Sequence, residues 1–151
     1  MSDGLGEIEI DHDKERRLQE AEARIEALAQ DYEAWAMEDL NEAKHALIAA
    51  KEKPSDRQPQ IQKIFNIAHN MKGQGGTFGY ELVTLVGQSL CDFIRHIPDA
   101  TDAELKVIDR HLSVITMILE QKIKGSGGQF ANKLVEKLKY VVAAVQGELI
   151  S

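Results

Sequence analysis

The chain has 151 residues, a formal net charge of -7 and 5% aromatic residues, so its length suits one domain with an aliphatic core. No apolar run approaches the roughly 20 residues that cross a bilayer. The acidic start lacks a basic region followed by an apolar one, so we expect neither a membrane partner nor a secretory signal. A single cysteine, Cys91, cannot form an internal disulfide and favours a cytoplasmic protein.

The negative charge is concentrated in the first third of the chain. Up to Lys53 there are 15 acidic and 7 basic residues, whereas the remainder is close to neutral. Binding to nucleic acid requires clustered lysines and arginines that neutralise phosphates. The charge pattern therefore predicts no nucleic-acid partner.

A long N-terminal helix is predicted from about Asp13 to Glu52. Its apolar residues recur at spacings of three and four in two successive registers: Leu18, Ala21, Ile25, Leu28, Tyr32 and Trp35, then Ala36, Leu40, Ala43, Leu47 and Ala50. Because this pattern is longer than one bundle covers, we assign residues 1–30 to an acidic helical extension and residues 31–151 to a helical bundle. The extension either pairs with a second copy, forming a homodimer through residues 13–35, or folds back and frays.

Four more helices follow a loop at 53–60, and prolines and glycines mark their ends. We predict them at about 59–75, 79–97, 102–124 and 129–149, with Thr101 or Asp102 capping the fourth. The predicted apolar face of the third helix includes Leu85, and that of the fifth includes Phe130 and Leu149. Five amphipathic helices with short connections predict an all-α antiparallel bundle.

The second helix carries a histidine on its polar side. Its apolar positions, continued just beyond its end, define a core face, and they are Ile61, Ile64, Ala68, Met71, Gly75 and Phe78. At about 100° per residue, His69 lies roughly 130° from the centre of this face and should be exposed. Lys72 and Gly73 lie one turn further on. Each glycine inside a helix lowers its stability by about 1 kcal/mol relative to alanine, so several glycines close together require a reason. They can leave the imidazole accessible, allow a neighbouring helix to pack closely, or end the helix.

A neutral imidazole is a covalent nucleophile that needs no prior loss of a proton, and a lysine beside it can hold a phosphoryl group. The residue types around His69 therefore fit a surface phosphohistidine. The ordinary alternative is a solvated surface histidine. No two of the five histidines are spaced as i and i+4 ligands on one helix, so no metal site is predicted.

The stretch from Ala68 to Gly79 resembles the histidine-phosphotransfer (HPt) motif, which reads His-x-x-Lys-Gly with a further glycine ten positions after the histidine. His69, Lys72, Gly73 and Gly79 match these positions. The ending from Gly75 to Gly79 is similar to the phosphotransfer domain of chemotaxis-type histidine kinases. Gln74 departs from the small residue often found at its position. The resemblance implies a four-helix HPt-like core within the five helices.

The resemblance also implies roles for single residues. His69 would be the phosphoacceptor, Lys72 would neutralise phosphate charge, Gly73 would keep the ring accessible, and Gly79 would allow a tight junction into the third helix. Gly76 borders the same surface and suits either access to the ring or the end of the helix. Residues that could contact the partner are Phe65, Gln62 and Asn66, whereas Met71 is expected in the core. The partners would be response-regulator receiver domains and a hybrid histidine kinase. The Mg²⁺ ion would belong to the receiver, so no cofactor is expected in this chain.

Three functions remain open at this point. The first is a bacterial, stand-alone phosphorelay carrier without kinase activity, and a start at Met1 and an end at Ser151 favour this expectation. The second is the phosphoacceptor domain of a larger chemotaxis-type kinase. The third is a non-catalytic helical adaptor in which His69 is incidental.

Overall fold

The computed structural model describes the backbone of residues 2–97, 100–125 and 128–150, and the side chains of 11–97, 100–125 and 128–147. Within these ranges all regular structure is helical, so the predicted all-α fold is confirmed. The chain forms two compact units, one that ends at Ala34 and one that begins at Trp35.

Helix α1 runs from Ser2 to Glu52. The predicted start near Asp13 is therefore wrong.

The first unit exposes most of its predicted apolar positions. Every side chain from residue 11 to residue 28 is exposed, whereas Ala29 and Tyr32 are buried. Trp35, which the periodicity placed in the same row as Tyr32, belongs to the second unit and is 55% exposed. The row of apolar residues predicted along α1 is therefore divided between buried and exposed positions.

The second unit contains the remainder of α1 and four further helices: α2 Arg57–Gly75, α3 Glu81–Arg95, α4 Asp102–Glu120 and α5 Gly128–Ile150. Short 3₁₀ turns at Pro54–Asp56 and Gly76–Phe78 precede and follow α2. The predicted range of α3, 79–97, is two residues too long at each end. None of the helices in the described part of the chain has the length and apolarity of a membrane span.

Helix α4 ends four residues before the predicted position. Lys122 has a left-handed backbone with φ 53°, and the N–H of Ile123 donates to the carbonyl of Ile118 at 3.0 Å. This 6→1 bond with a left-handed residue is the geometry of a Schellman motif, which stops a helix. Ile123 continues the apolar spacing but lies beyond the stop, so periodicity alone placed the end too late.

Aliphatic side chains fill the core between the helices of the second unit, as the composition predicts. Its fully buried members include Leu40, Ile64, Met71, Leu82, Leu90, Leu105, Ile108, Leu112 and Ile115. Helix α5 contributes fewer, chiefly Ala131 and Leu138. Phe130 and Leu85 are 46% and 51% exposed, so their assignment to core faces is wrong, and the side chain of Leu149 lies outside the described residues.

Arg57 and a capping box fix the junctions at one end of the bundle. The Arg57 guanidinium donates to the carbonyl of Ala50 at 2.8 Å and to the Asp102 carboxylate at 2.7 Å. Thr101 accepts from the N–H of Glu104 at 3.2 Å, while the Glu104 carboxylate accepts from the N–H of Thr101 at 2.9 Å. This reciprocal cap starts α4 at the predicted place.

His111 is fully buried. Its Nδ1 lies 2.8 Å from the carbonyl oxygen of Val107 and its Nε2 lies 2.9 Å from the Ser89 hydroxyl. Because a carbonyl can only accept, Nδ1 carries the proton and Nε2 accepts from Ser89. Burial lowers the pKa of His111 from its ordinary 6.5, and the bond to Val107 opposes this shift only in part.

We predict that acid destabilises the fold through His111. With the folded pKa lowered, both states are neutral above about pH 6.5, and below it the unfolded chain binds a proton that the folded chain does not. The free energy of unfolding should therefore fall between pH 7.5 and pH 5.5, by at most about 1.4 kcal/mol per pH unit. Urea unfolding followed by circular dichroism measures it. The His111→Gln variant should show a flatter pH dependence, and an unchanged slope would contradict the prediction.

Candidate functional site

His69 lies on the exposed face of α2, as the helical wheel predicts. Four residues earlier on the same helix, the half-buried Phe65 stacks on the imidazole, with ring centroids 6.1 Å apart and ring planes 13° from parallel. The guanidinium carbon of Arg95, on α3, lies 5.2 Å from the Phe65 centroid, within the range of a cation–π contact. Within the described part of the chain, no hydrogen bond engages the ring nitrogens of His69. The ring is therefore held at its side while its nitrogens stay open.

Helices α2 and α3 approach closely beside Lys72. A Cβ atom at Gly87 would lie 3.2 Å from the Cβ of Lys72 and 3.3 Å from the carbonyl oxygen of Ala68. The Thr84 hydroxyl donates to the backbone carbonyl of Lys72 at 3.0 Å. Lys72 is half-buried as a result, and its backbone is fixed against α3. Neither Gly87 nor Thr84 could be predicted as part of the site, because a glycine and a threonine within an apolar helix give no signal of the helix that they face.

The three neighbouring glycines of this region have different roles. A Cβ atom at Gly75 would lie 2.8 Å from the Thr84 hydroxyl and 2.9 Å from the carbonyl oxygen of Tyr80, so this position serves close packing. At Gly73 such an atom would meet nothing within 4 Å, and at Gly76 only the Thr84 hydroxyl at 3.7 Å. Among the described residues, nothing requires Gly73 to lack a side chain, so packing against them does not explain a glycine on the surface beside His69.

Gly79 forms the junction between α2 and α3. Its φ of 87° lies in the left-handed region, which strains any residue with a side chain. Its N–H donates to the carbonyl of Gly76 at 3.2 Å, and the N–H of Tyr80 donates to the carbonyl of Gly75 at 2.8 Å. The carbonyl of Gly79 in turn accepts from the N–H of Gly125 at 2.8 Å. This glycine therefore fits the tight junction that the resemblance implies.

Polar residues border the site on the N-terminal side of His69. Gln62 and Asn66 are both exposed, and the Gln62 amide donates to Asn66 at 3.0 Å. A depression of about 180 Å³ beside Gln62 is lined by residues of α2 and α3, including Phe65 and Arg95, and by Ile97 just beyond α3. The three candidate contact residues Gln62, Phe65 and Asn66 thus lie along one accessible strip, whereas Met71 is buried in the core as expected.

Two cations border this face of the bundle. Burial raises the pKa of the Cys91 thiol, and the positive charges of Lys72 and Arg95 oppose that rise. Lys72 and Arg95 therefore both lie close enough to the buried Cys91 thiol of α3 to influence its pKa. Arg95 also lies 3.6 Å from the carboxylate of Asp92. Among the residues that the structure describes, no group of three histidine, cysteine or acidic side chains is placed to hold a metal ion.

These features define a class of protein: a helical bundle with an exposed imidazole beside a cation and a bare glycine. A family model for the Hpt domain matches residues 15–146. The chain therefore belongs to the Hpt domain family, as the motif around His69 predicted. Comparisons with curated proteins and with solved structures gave no match.

Hpt domains are histidine-containing phosphotransfer domains of two-component phosphorelays, and they carry phosphoryl groups rather than act as kinases. They generally interact with receiver domains and with kinases. The family match begins at residue 15 and so includes about half of the segment predicted as a separate extension. The functional division at residue 30 stays a prediction.

We predict opposite effects on stability for alanine at two positions of α2. Gly75→Ala should lower the free energy of unfolding by about 1–3 kcal/mol, because its Cβ atom would clash with α3. Gly73→Ala should raise it by up to about 1 kcal/mol, since alanine favours the helix and meets no neighbour. Chemical unfolding of the full chain measures both. Gly147→Ala, in α5 and equally open, is the control, and a loss of stability in Gly73→Ala would contradict the assignment.

Proposed function

We propose that this chain is a phosphorelay carrier that exchanges a phosphoryl group between His69 and the aspartates of receiver domains. The observation that carries the proposal is the open imidazole of His69, stacked on Phe65, within the motif of an Hpt domain. The exposed Gly73, which has no role inside the fold, leaves room for a receiver to reach the ring.

In the transfer reaction, a neutral ring nitrogen of His69 attacks the phosphorus of an aspartyl phosphate on the receiver. The new N–P bond forms as the bond between the carboxylate oxygen and phosphorus breaks, and the aspartate carboxylate leaves with the electron pair. The resemblance favours Nε2 as the attacking atom. The reverse reaction returns the group to an aspartate, so one site serves both directions.

Lys72 supplies a charge for the transferred group. Its backbone is fixed by Thr84 and by the close approach of α3, while its ammonium group remains on a half-buried side chain. A positioned cation stabilises the negative oxygens of a phosphoryl group during transfer. In this proposal the receiver contributes the Mg²⁺ ion, and the chain uses no cofactor of its own.

Phe65, Gln62 and Asn66 form the proposed contact with the receiver. The stack of Arg95, Phe65 and His69 links α3 to the ring, so it restrains the orientation of the imidazole before the receiver arrives. An aromatic ring that is half-buried and bordered by polar side chains is typical of a residue at the centre of a protein interface.

The proposal also includes a bacterial cytoplasmic relay with a hybrid histidine kinase upstream, which a chain with a single cysteine suits. Two other functions compete with it. A phosphoacceptor domain of a larger chemotaxis-type kinase would use the same His69 but would take its phosphoryl group from ATP through a kinase domain. A helical adaptor would carry no phosphoryl group, and its His69 would be an ordinary surface residue.

We predict that receiver-dependent phosphorylation requires His69. When purified chain is mixed with phosphorylated receiver domains of the same organism, an acid-labile label should appear on the wild type and be absent from His69→Gln. His45→Gln is the matched control, because His45 is also exposed on a helix of the second unit. Equal labelling of the wild type and His69→Gln would exclude His69. A folded chain that no receiver labels would favour the adaptor.

We further predict that Gly73→Ala slows phosphoryl transfer without lowering the stability of the fold. The methyl group meets no described residue within 4 Å but would project beside the approaching receiver, so transfer should slow by at least about tenfold although the fold is not destabilised. Rapid-quench measurement of the transfer rate at saturating receiver tests this, with Gly147→Ala as the control. A wild-type rate in Gly73→Ala would contradict the proposed role of Gly73.

A further inference from the structure

The first unit of the chain exposes an apolar face that none of the described side chains of this unit, residues 11–34, covers. We call Leu18, Ala21, Ile25 and Leu28 the N-terminal stripe. Leu18 is 59% exposed, Ile25 65% and Leu28 52%, and every side chain around them, from residue 11 to residue 28, is exposed. Large aliphatic side chains gathered on one face of a helix mark an interaction surface.

The spacing of the N-terminal stripe is that of a coiled coil. Its four members alternate at intervals of three, four and three, which are the a and d positions of a heptad repeat. The stripe ends at Leu28, and the next apolar positions, Ala29 and Tyr32, are already buried. A helical segment of this length is marginal in water by itself, so a partner that covers the stripe would also stabilise the helix.

The charge of the segment selects among occupants. Residues 11–34 contain eight acidic and four basic side chains. An anionic lipid surface or a nucleic acid requires the opposite balance. The occupant must therefore be a protein face that tolerates a net negative helix and presents apolar side chains at the same heptad spacing.

The charges along the two edges of the N-terminal stripe are complementary to each other. Arg17 and Arg24 follow one edge, and Glu15 and Glu22 follow the other. In a parallel pair of identical helices, the arginine edge of one helix lies beside the glutamate edge of the other. Arg17 then lies next to Glu22 of the partner subunit. An antiparallel pair centred on the stripe would instead place the two Arg24 side chains next to each other and the two Glu22 side chains next to each other. These pairs of like charges would repel.

We propose that residues 13–28 form a parallel, in-register, two-stranded coiled coil with the same residues of a second copy, so that the chain is a homodimer. The proposed interface, residues 13–28, is shorter than the predicted one, residues 13–35, because Tyr32 is already buried and is not available to a second copy. This inference is independent of phosphotransfer at His69 and holds for an adaptor as well.

Sedimentation of the full chain tests the dimer. The wild type should have the mass of two chains, and Ile25→Lys should raise the dissociation constant at least about 100-fold, because it places a charge in the apolar stripe. The matched control Ala27→Lys adds the same charge on the far side of the helix and should leave the mass unchanged. A wild-type mass of one chain at about 100 μM, or a dimer unaffected by Ile25→Lys, would overturn the proposal.

Two further variants test the orientation. In a parallel pair, position 21 lies beside its own copy, so Ala21→Cys should form a disulfide-linked dimer on oxidation, whereas Ala23→Cys on the opposite face should not. Cys91 is buried and does not interfere. Arg17→Glu should weaken the dimer, and adding Glu22→Arg should restore it. Equal cross-linking at positions 21 and 23, or no rescue by the second charge reversal, would overturn parallel pairing.

Discussion

The close approach of α2 and α3 is the constraint on which the rest of the site depends. At Gly87 the backbone of α3 lies so near Lys72 and Ala68 that no side chain larger than a hydrogen atom fits without displacement. Gly75 imposes the same condition from the other helix, facing Thr84. With these two helices locked together, α2 cannot rotate, and the face that carries His69 is fixed outward.

A site built on two packed helices suits the chemistry of a phosphocarrier. The chain contributes an open nucleophile and a positioned cation, and the partner contributes the metal ion and the aspartate in the proposed reaction. Such a carrier needs little movement of its own, because side chains on packed helices are held more firmly than side chains on loops. The left-handed turn at Gly79, held by hydrogen bonds from both directions along the chain, keeps the junction beside the site equally rigid.

Sequence patterns were informative where a signal lay within one helix. The apolar spacing of α2 placed Ile64, Ala68 and Met71 in the core and left His69 exposed, because a helix with one buried face dictates both. Contacts between helices left no such signal. Gly87 was not recognised, and the three explanations for the α2 glycines could be separated only when the neighbours of each were known. The burial of His111 likewise left no signal, because its Nε2 accepts from the Ser89 hydroxyl on a different helix.

The exposure of Trp35 has a practical consequence for studying this protein. It is the only tryptophan in the chain, and more than half of its surface already faces water in the folded state. Its fluorescence emission should therefore change little when the fold is lost, so an unfolding curve recorded at this indole would understate the transition. The same property makes it a sensitive reporter of binding, since any molecule that covers this side of α1 would move the indole into a drier environment and shift its emission to shorter wavelengths.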